Sequence, residues 1–235
     1  MTRSTVLATF LAATALIAGG CSSDDDDDAE TTTAPLTAAD GTSFFVTSQT
    51  NKTGNLGGIS GADGICNTLA TAAGQGNKVW KAYLSTTKEA AKDRIGQGPW
   101  FNAKGAMVAA NLTALHTTLT GKADLLLDEK VNPIDGQWNS AMTVQHDILT
   151  GSAPDGTLQP PDAMGRSSNC NDWTSAGTDA VAQVGHSDGM GPMMSMATTP
   201  TNYTSWNSVH ASQDCSDTAP RGGAGRFYCF ATGKK

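Results

Sequence analysis

Closely spaced cysteines are missing from this 235-residue chain: Cys215 and Cys229, the nearest pair, have thirteen residues between them. Thiolate zinc sites use C-x2–4-C spacings, so that class is disfavoured. The four histidines, His116, His146, His186 and His210, each stand alone, with no H-E-x-x-H or H-x-x-x-H pattern. The familiar metalloprotease signature is therefore not written here. A triad assembled from distant residues would leave no such trace. Basic residues are scarce, 15 against 22 acidic, which argues against nucleic acid and against polybasic attachment to lipid. Long apolar runs are also lacking. The best, VLATFLAATALIAGG, falls short of the ~20 residues that a membrane span needs.

What is present begins with an address. Arg3 and that apolar run form an export signal over residues 1–20. The stretch LIAGGC, with Ala18, Gly19 and Gly20 before Cys21, resembles a bacterial lipobox. In that family the cysteine is acylated and becomes the mature N-terminus, anchored through its acyl chains at ~0.8 kcal/mol per buried CH2. Ser22 stands where an aspartate commonly retains such lipoproteins at the inner membrane. The expected place is thus the bacterial envelope, at the outer membrane or cell surface. Residues 21–42, with five consecutive aspartates followed by Thr, Ala and Pro, bury no apolar surface and read as a solvated tether extended by self-repulsion. Without residues 1–20, which hold one basic residue, 14 Lys+Arg face 22 Asp+Glu, a net charge of about −8. Residues 43–235 are long enough for one substantial core.

With Cys21 committed to lipid, Cys66, Cys170, Cys215 and Cys229 remain, and an even count in an exported chain implies two disulfides. Three connectivities are open at this point. Phe44–Val46 suits a strand. In SGADGICNTLATAAG, Ala62, Ile65, Cys66, Leu69, Ala70 and Ala73 recur at helical spacing, with Ser60 and Asp63 as a capping box and Gly74 as the stop. KVWKAYLS reads as a strand packed on both faces, TTKEAAKDRI as a short helix capped by Thr86 or Thr87, residues 96–151 as short strands and turns, and GRFYCF as a closing strand. Early helices followed by many strands predict an α+β fold.

In their order, FFVTSQ, GADGICNTLATAAG, KAYLS, ILTGSAPDGT, NCNDWTS and RFYCF resemble the C-type-lectin-like fold, in its endostatin-like bacterial branch. The resemblance runs from about Phe44 to Phe230. It implies two helices packed on short, mostly antiparallel sheets with long irregular loops. It also implies the pairing Cys66–Cys229 and Cys170–Cys215, with NCNDWTS as a strand of the stapled sheet and Trp173 beside the sulfur. Sugar-binding members of the wider fold hold calcium through a Glu/Gln-Pro-Asn/Asp loop and a Trp-Asn-Asp strand. Here Gln159-Pro160-Pro161-Asp162 carries an extra proline, and Ser208 follows Trp206-Asn207 where an acid should stand. Calcium needs several hard carboxylate oxygens, so no cofactor is expected.

The resemblance implies a non-catalytic recognition module, displayed on the envelope and membrane-bound only through its lipid, for a glycan, a matrix protein or another envelope component. Its candidate contacts are Asn171, Asp172, Trp206 and Asn207, in the loop-rich region between Asp155 and Gln213. A different class is a metal-handling protein or hydrolase with a site near His186 and His210. There GHSDGMGPMMSM concentrates His186, Met190, Met193, Met194 and Met196, soft donors of the kind that select monovalent copper; otherwise these methionines form an adaptable surface loop. A third class is a structural coat lipoprotein without a dedicated ligand.

Overall fold

The computed structural model describes residues 1–2, 35–192 and 201–235, apart from the side chains of residues 201 and 202. The elements are β1 (Phe44–Val46), α1 (Gly58–Ala72), β2 (Lys78–Ala82), α2 (Ala91–Arg94), β3 (Trp100–Phe101), β4 (Met107–Ala109), α3 (Leu112–Thr117), β5 (Asp147–Leu149), α4 (Cys170–Trp173), β6 (Gln183–His186), β7 (His210–Ala211) and β8 (Gly223–Lys234). The fold is α+β. A six-stranded sheet runs β1-β8-β5-β6-β7, with β2 also on β8, and β3 and β4 form a separate two-stranded ladder. The sheet is mixed, since β5 and β8 are parallel while the other pairs are antiparallel.

β8 is the hub because nearly every side chain between Phe227 and Ala231 is apolar, as a strand covered on both faces requires. Alternation then divides the core in two. Phe227, Cys229 and Ala231 pack with Phe45, Trp80, Leu149 and α1. Tyr228 and Phe230 pack with Phe44, Val46, Ile148, Trp100 and Trp206. Helix α1 buries Ala62, Cys66 and Ala70, a small-residue face suited to close approach. It stops where Gly74 takes a φ of 76°, with Gln75 N–H donating to Ala70 O and Gly74 N–H to Thr71 O, the Schellman pattern.

Two bonds between sulfurs staple this frame. Cys66–Cys229 ties α1 to the hub strand across 163 residues, and Cys170–Cys215 closes a loop of 45. These are the pairs that the family resemblance implies. They fit an oxidising, extracytoplasmic compartment. Among the described residues no helix is long and apolar enough to cross a membrane.

Several local expectations need correction. The capping box of Ser60 and Asp63 does not form. The helix starts at Gly58, and Asp63 instead accepts from Ala82 N–H and pairs with Lys81 and Arg94. β2 is covered on one face only, with Lys78, Trp80 and Ala82 buried and Val79 and Lys81 half-buried. Thr86 is not a helix cap. It closes the turn before α2, accepting from Glu89 N–H. Residues 96–151 contain an unforeseen helix, α3, capped by Asn111. NCNDWTS is not a strand: Cys170 to Trp173 all take positive φ between 49° and 65°. Such a left-handed turn is disfavoured by ~1–2 kcal/mol per residue. It is held by the disulfide, by Trp173 Nε1–H donating to Ser85 O, and by Asp172 accepting from Thr87. Residues 35–42, assigned to the tether by composition, fold onto the domain instead: Leu36 is in the core and Asp40 pairs with Lys234.

Candidate metal centre

Three of the four histidines meet at one end of β5, β6 and β7. His146 precedes β5, Asp147 opens it, His186 closes β6 and His210 opens β7. His186 Nε2 lies 3.2 Å from Asp147 Oδ1 and 3.2 Å from His210 Nε2. His210 Nε2 is 3.6 Å from Asp147 Oδ2, and His146 Nε2 is 3.4 Å from Asp147 Oδ1. His146, Asp147 and His186 are buried and His210 is half-buried.

The other ring nitrogens are already committed. His186 Nδ1 bonds Met190 O at 2.7 Å and His210 Nδ1 bonds Ala211 O at 3.1 Å. A carbonyl oxygen only accepts, so both Nδ1 atoms carry a proton, and in the neutral rings both Nε2 atoms present lone pairs. His146 Nδ1 meets Asp188 Oδ1 at 2.7 Å. Burial alone would raise Asp188, but His146 and the amides of Met190 and Gln137 hold its carboxyl below the ordinary value. Burial lowers His210 despite the nearby Asp147 carboxylate, which keeps its imidazole neutral.

One atom is conspicuous. Asp147 Oδ1 is buried and accepts no hydrogen bond; Ser187 Oγ, beside His186, is the other buried side-chain atom in that state among the described residues. An unsatisfied buried acceptor costs ~1–3 kcal/mol, and more when charged. A cation would satisfy it. Around a tetrahedral ion with ligand bonds near 2.1 Å, donors lie about 3.4 Å apart, close to the distances of His186 Nε2 from Asp147 Oδ1 and from His210 Nε2.

Ring orientation divides the histidines. His186 and His210 meet edge to face at 75°, with their Nε2 atoms in contact. His146 stacks on His186 with centroids 4.2 Å apart and planes at 18°. Near-parallel stacked rings cannot both aim at one ion, so His146 stands beside the set of three as its support. The set opens on a cavity of about 330 Å3 lined by His146, His186, Tyr203, His210, Arg221 and Gly222.

The residues singled out by the resemblance lie elsewhere. Trp206 is 2% exposed and donates from Nε1 to Leu115 O. Asn207 is buried, donating to Tyr83 Oη and to the carbonyls of Ala153 and Pro154. Both belong to the interior, where the aromatic cluster of Tyr83, Tyr228 and Phe230 needs them. Asp172 is taken up by Thr87; Asn171 alone of the four is exposed, donating to Asp179. Asp162 pairs with Arg166 and accepts from its own loop, so its carboxylate is already engaged. Met190 contributes its backbone, not its sulfur, to the histidine cluster. Met193, Met194, Met196 and Cys21 lie outside the described residues.

Three of the four histidines judged solitary in sequence are therefore brought together, and His146, Asp147 and Asp188 were missed as site residues. Their only trace is that His146 and His186 each have an aspartate within two positions. The molecule is thus a disulfide-stapled α+β domain carrying a buried histidine–aspartate centre. It belongs to a protein family of unknown function, DUF1554, which matches residues 49–190. That stretch includes His146, Asp147, His186 and Asp188 and ends before His210. No curated protein sequence matches the chain.

Proposed function

We propose that this protein is an envelope-anchored binding module whose recognition centre is one divalent first-row transition ion, zinc in the first instance. Asp147 and the Nε2 atoms of His186 and His210 would hold it. The observation that carries this reading is the buried Asp147 oxygen without a hydrogen bond, set against two imidazole Nε2 atoms 3.2 Å apart whose rings already donate from Nδ1 to carbonyls. Two imidazoles and a carboxylate suit zinc, whereas monovalent copper favours sulfur. The ion would supply a Lewis-acidic centre with a coordination position left for a ligand. Asp188 and the Met190 and Ala211 carbonyls fix the histidine tautomers around it, the usual supporting layer of such sites.

The frame fits a C-type-lectin-like reading of the endostatin-like kind. A disulfide joins the first helix to the last strand, an inner one closes the loop region, and β1 pairs with β8, bringing the two ends of the domain together. Acylation of Cys21 would carry it on the envelope; growth with labelled palmitate gives a labelled wild-type protein and an unlabelled Cys21→Ser variant if this holds.

The metal reading is tested by titrating zinc into the metal-free chain against a chromophoric chelator. One ion per chain is expected, with uptake lost in Asp147→Asn and in His210→Ala. A wild-type chain that takes up no zinc, or variants that take it up equally well, would overturn the reading.

A further inference from the structure

Resting on the metal reading above, we infer that the centre binds a small monocarboxylate, one end on the ion and the same carboxylate paired with Arg221. Three protein donors leave a tetrahedral ion one position short. That open side faces the cavity, because His186 and His210 both line it. Arg221 lines the same cavity, and its place is set by a shared acceptor. Arg221 Nη1 donates to Ala211 O at 3.1 Å, the carbonyl that also receives His210 Nδ1–H. The guanidinium is thereby fixed beside a ligand ring, with φ of 74° at its own backbone. No carboxylate pairs with it among the described residues.

Charge selects the class of ligand. A divalent ion with the buried carboxylates of Asp147 and Asp188 is neutral, and an imidazole that ligates a metal does so as the neutral ring. Arg221, exposed at the edge of the cavity, then adds one positive charge, which a monoanion cancels and a dianionic phosphate exceeds. A planar carboxylate also matches the guanidinium fork. The cavity, about 330 Å3, is near the lower end of ligand pockets (roughly 300–1,000 Å3). Tyr203, parallel to His186 with centroids 5.7 Å apart, supplies an aromatic wall. A short organic acid fits better than a long chain.

Cobalt substitution reads both claims separately. The full chain is saturated with Co(II), whose visible bands report loading, and titrated with acetate, benzoate and inorganic phosphate. Saturable band shifts with acetate and benzoate are expected, with phosphate weaker. In cobalt-loaded Arg221→Gln the carboxylate midpoints should rise by roughly 10- to 100-fold, as loss of a charge-assisted bond implies. Cobalt bands that no carboxylate moves, equal midpoints in Arg221→Gln, or phosphate binding more tightly than both acids would each overturn the inference while leaving the metal centre standing. Absence of cobalt bands in the wild-type chain would overturn both.

Discussion

Asp147 and His186 are cross-strand partners, set directly opposite each other in the antiparallel pairing of β5 and β6. His210 joins them through β7, two residues along β6 at Val184. The donors are thus placed by backbone register on three adjacent strands, where a one-residue slip would turn them to the other face. Such placement predicts that removal of one donor abolishes binding without unfolding the frame. His186→Ala, His210→Ala and Asp147→Asn should each weaken zinc by more than the ~10- to 100-fold typical of residues that only orient a ligand. Zinc should raise the melting temperature of the wild type alone. Metal-free Asp147→Asn should melt no lower than the metal-free wild type, since it removes a buried charge that lacks a hydrogen bond. Calorimetry on the same samples checks both.

The two disulfides should differ in weight. Cys66–Cys229 spans 163 residues and Cys170–Cys215 spans 45. In the chain-entropy account their removal costs ~5 and ~4 kcal/mol. Urea unfolding of the two paired Cys→Ala variants should rank them in that order, and the chain lacking both should not fold at 37 °C.

Gly54 leaves room for the second of these bonds. A Cβ there would lie 2.2 Å from Cys170 Sγ. Gly54→Ala is expected to lose at least the ~1–3 kcal/mol of an overpacked core, seen as a lower urea midpoint. An unchanged midpoint would show that the Cys170 turn yields freely.

Acid should weaken the domain before its carboxylates titrate. Burial pushes His116 below its ordinary value, its Nδ1 donates to Leu112 O, and Nε2 is left to accept from Tyr83 Oη–H at 2.8 Å. The unfolded chain therefore takes up a proton first as pH falls. Stability should be level above the ordinary histidine value of ~6.5 and decline below it. His210, also lowered by burial, acts in the same direction in the metal-free chain. Melting between pH 5 and 8 should show this slope, and His116→Gln should flatten it in part.

Much of the frame is legible in the linear chain. Small residues at helical spacing around Cys66 mark α1, and the unbroken apolar run at Phe227–Phe230 marks the hub strand. Four cysteines in an exported chain imply two bonds. The turn at Cys170 was not legible, because its left-handed backbone is imposed by Cys215, Ser85 and Thr87 from outside the segment. Trp206 and Asn207 are polar or amphipathic enough to suggest a surface. Only packing shows that their hydrogen-bonding groups are satisfied within the core.

Composition and local pattern, then, determine what short-range forces control: the α+β class and the helix that carries Cys66. The centre is another matter. His146, Asp147, His186 and His210 are spread over 65 positions of the sequence, and no local preference draws them together. Strand register does so, through contacts between residues far apart in the chain, and those exist only once the sheet has formed.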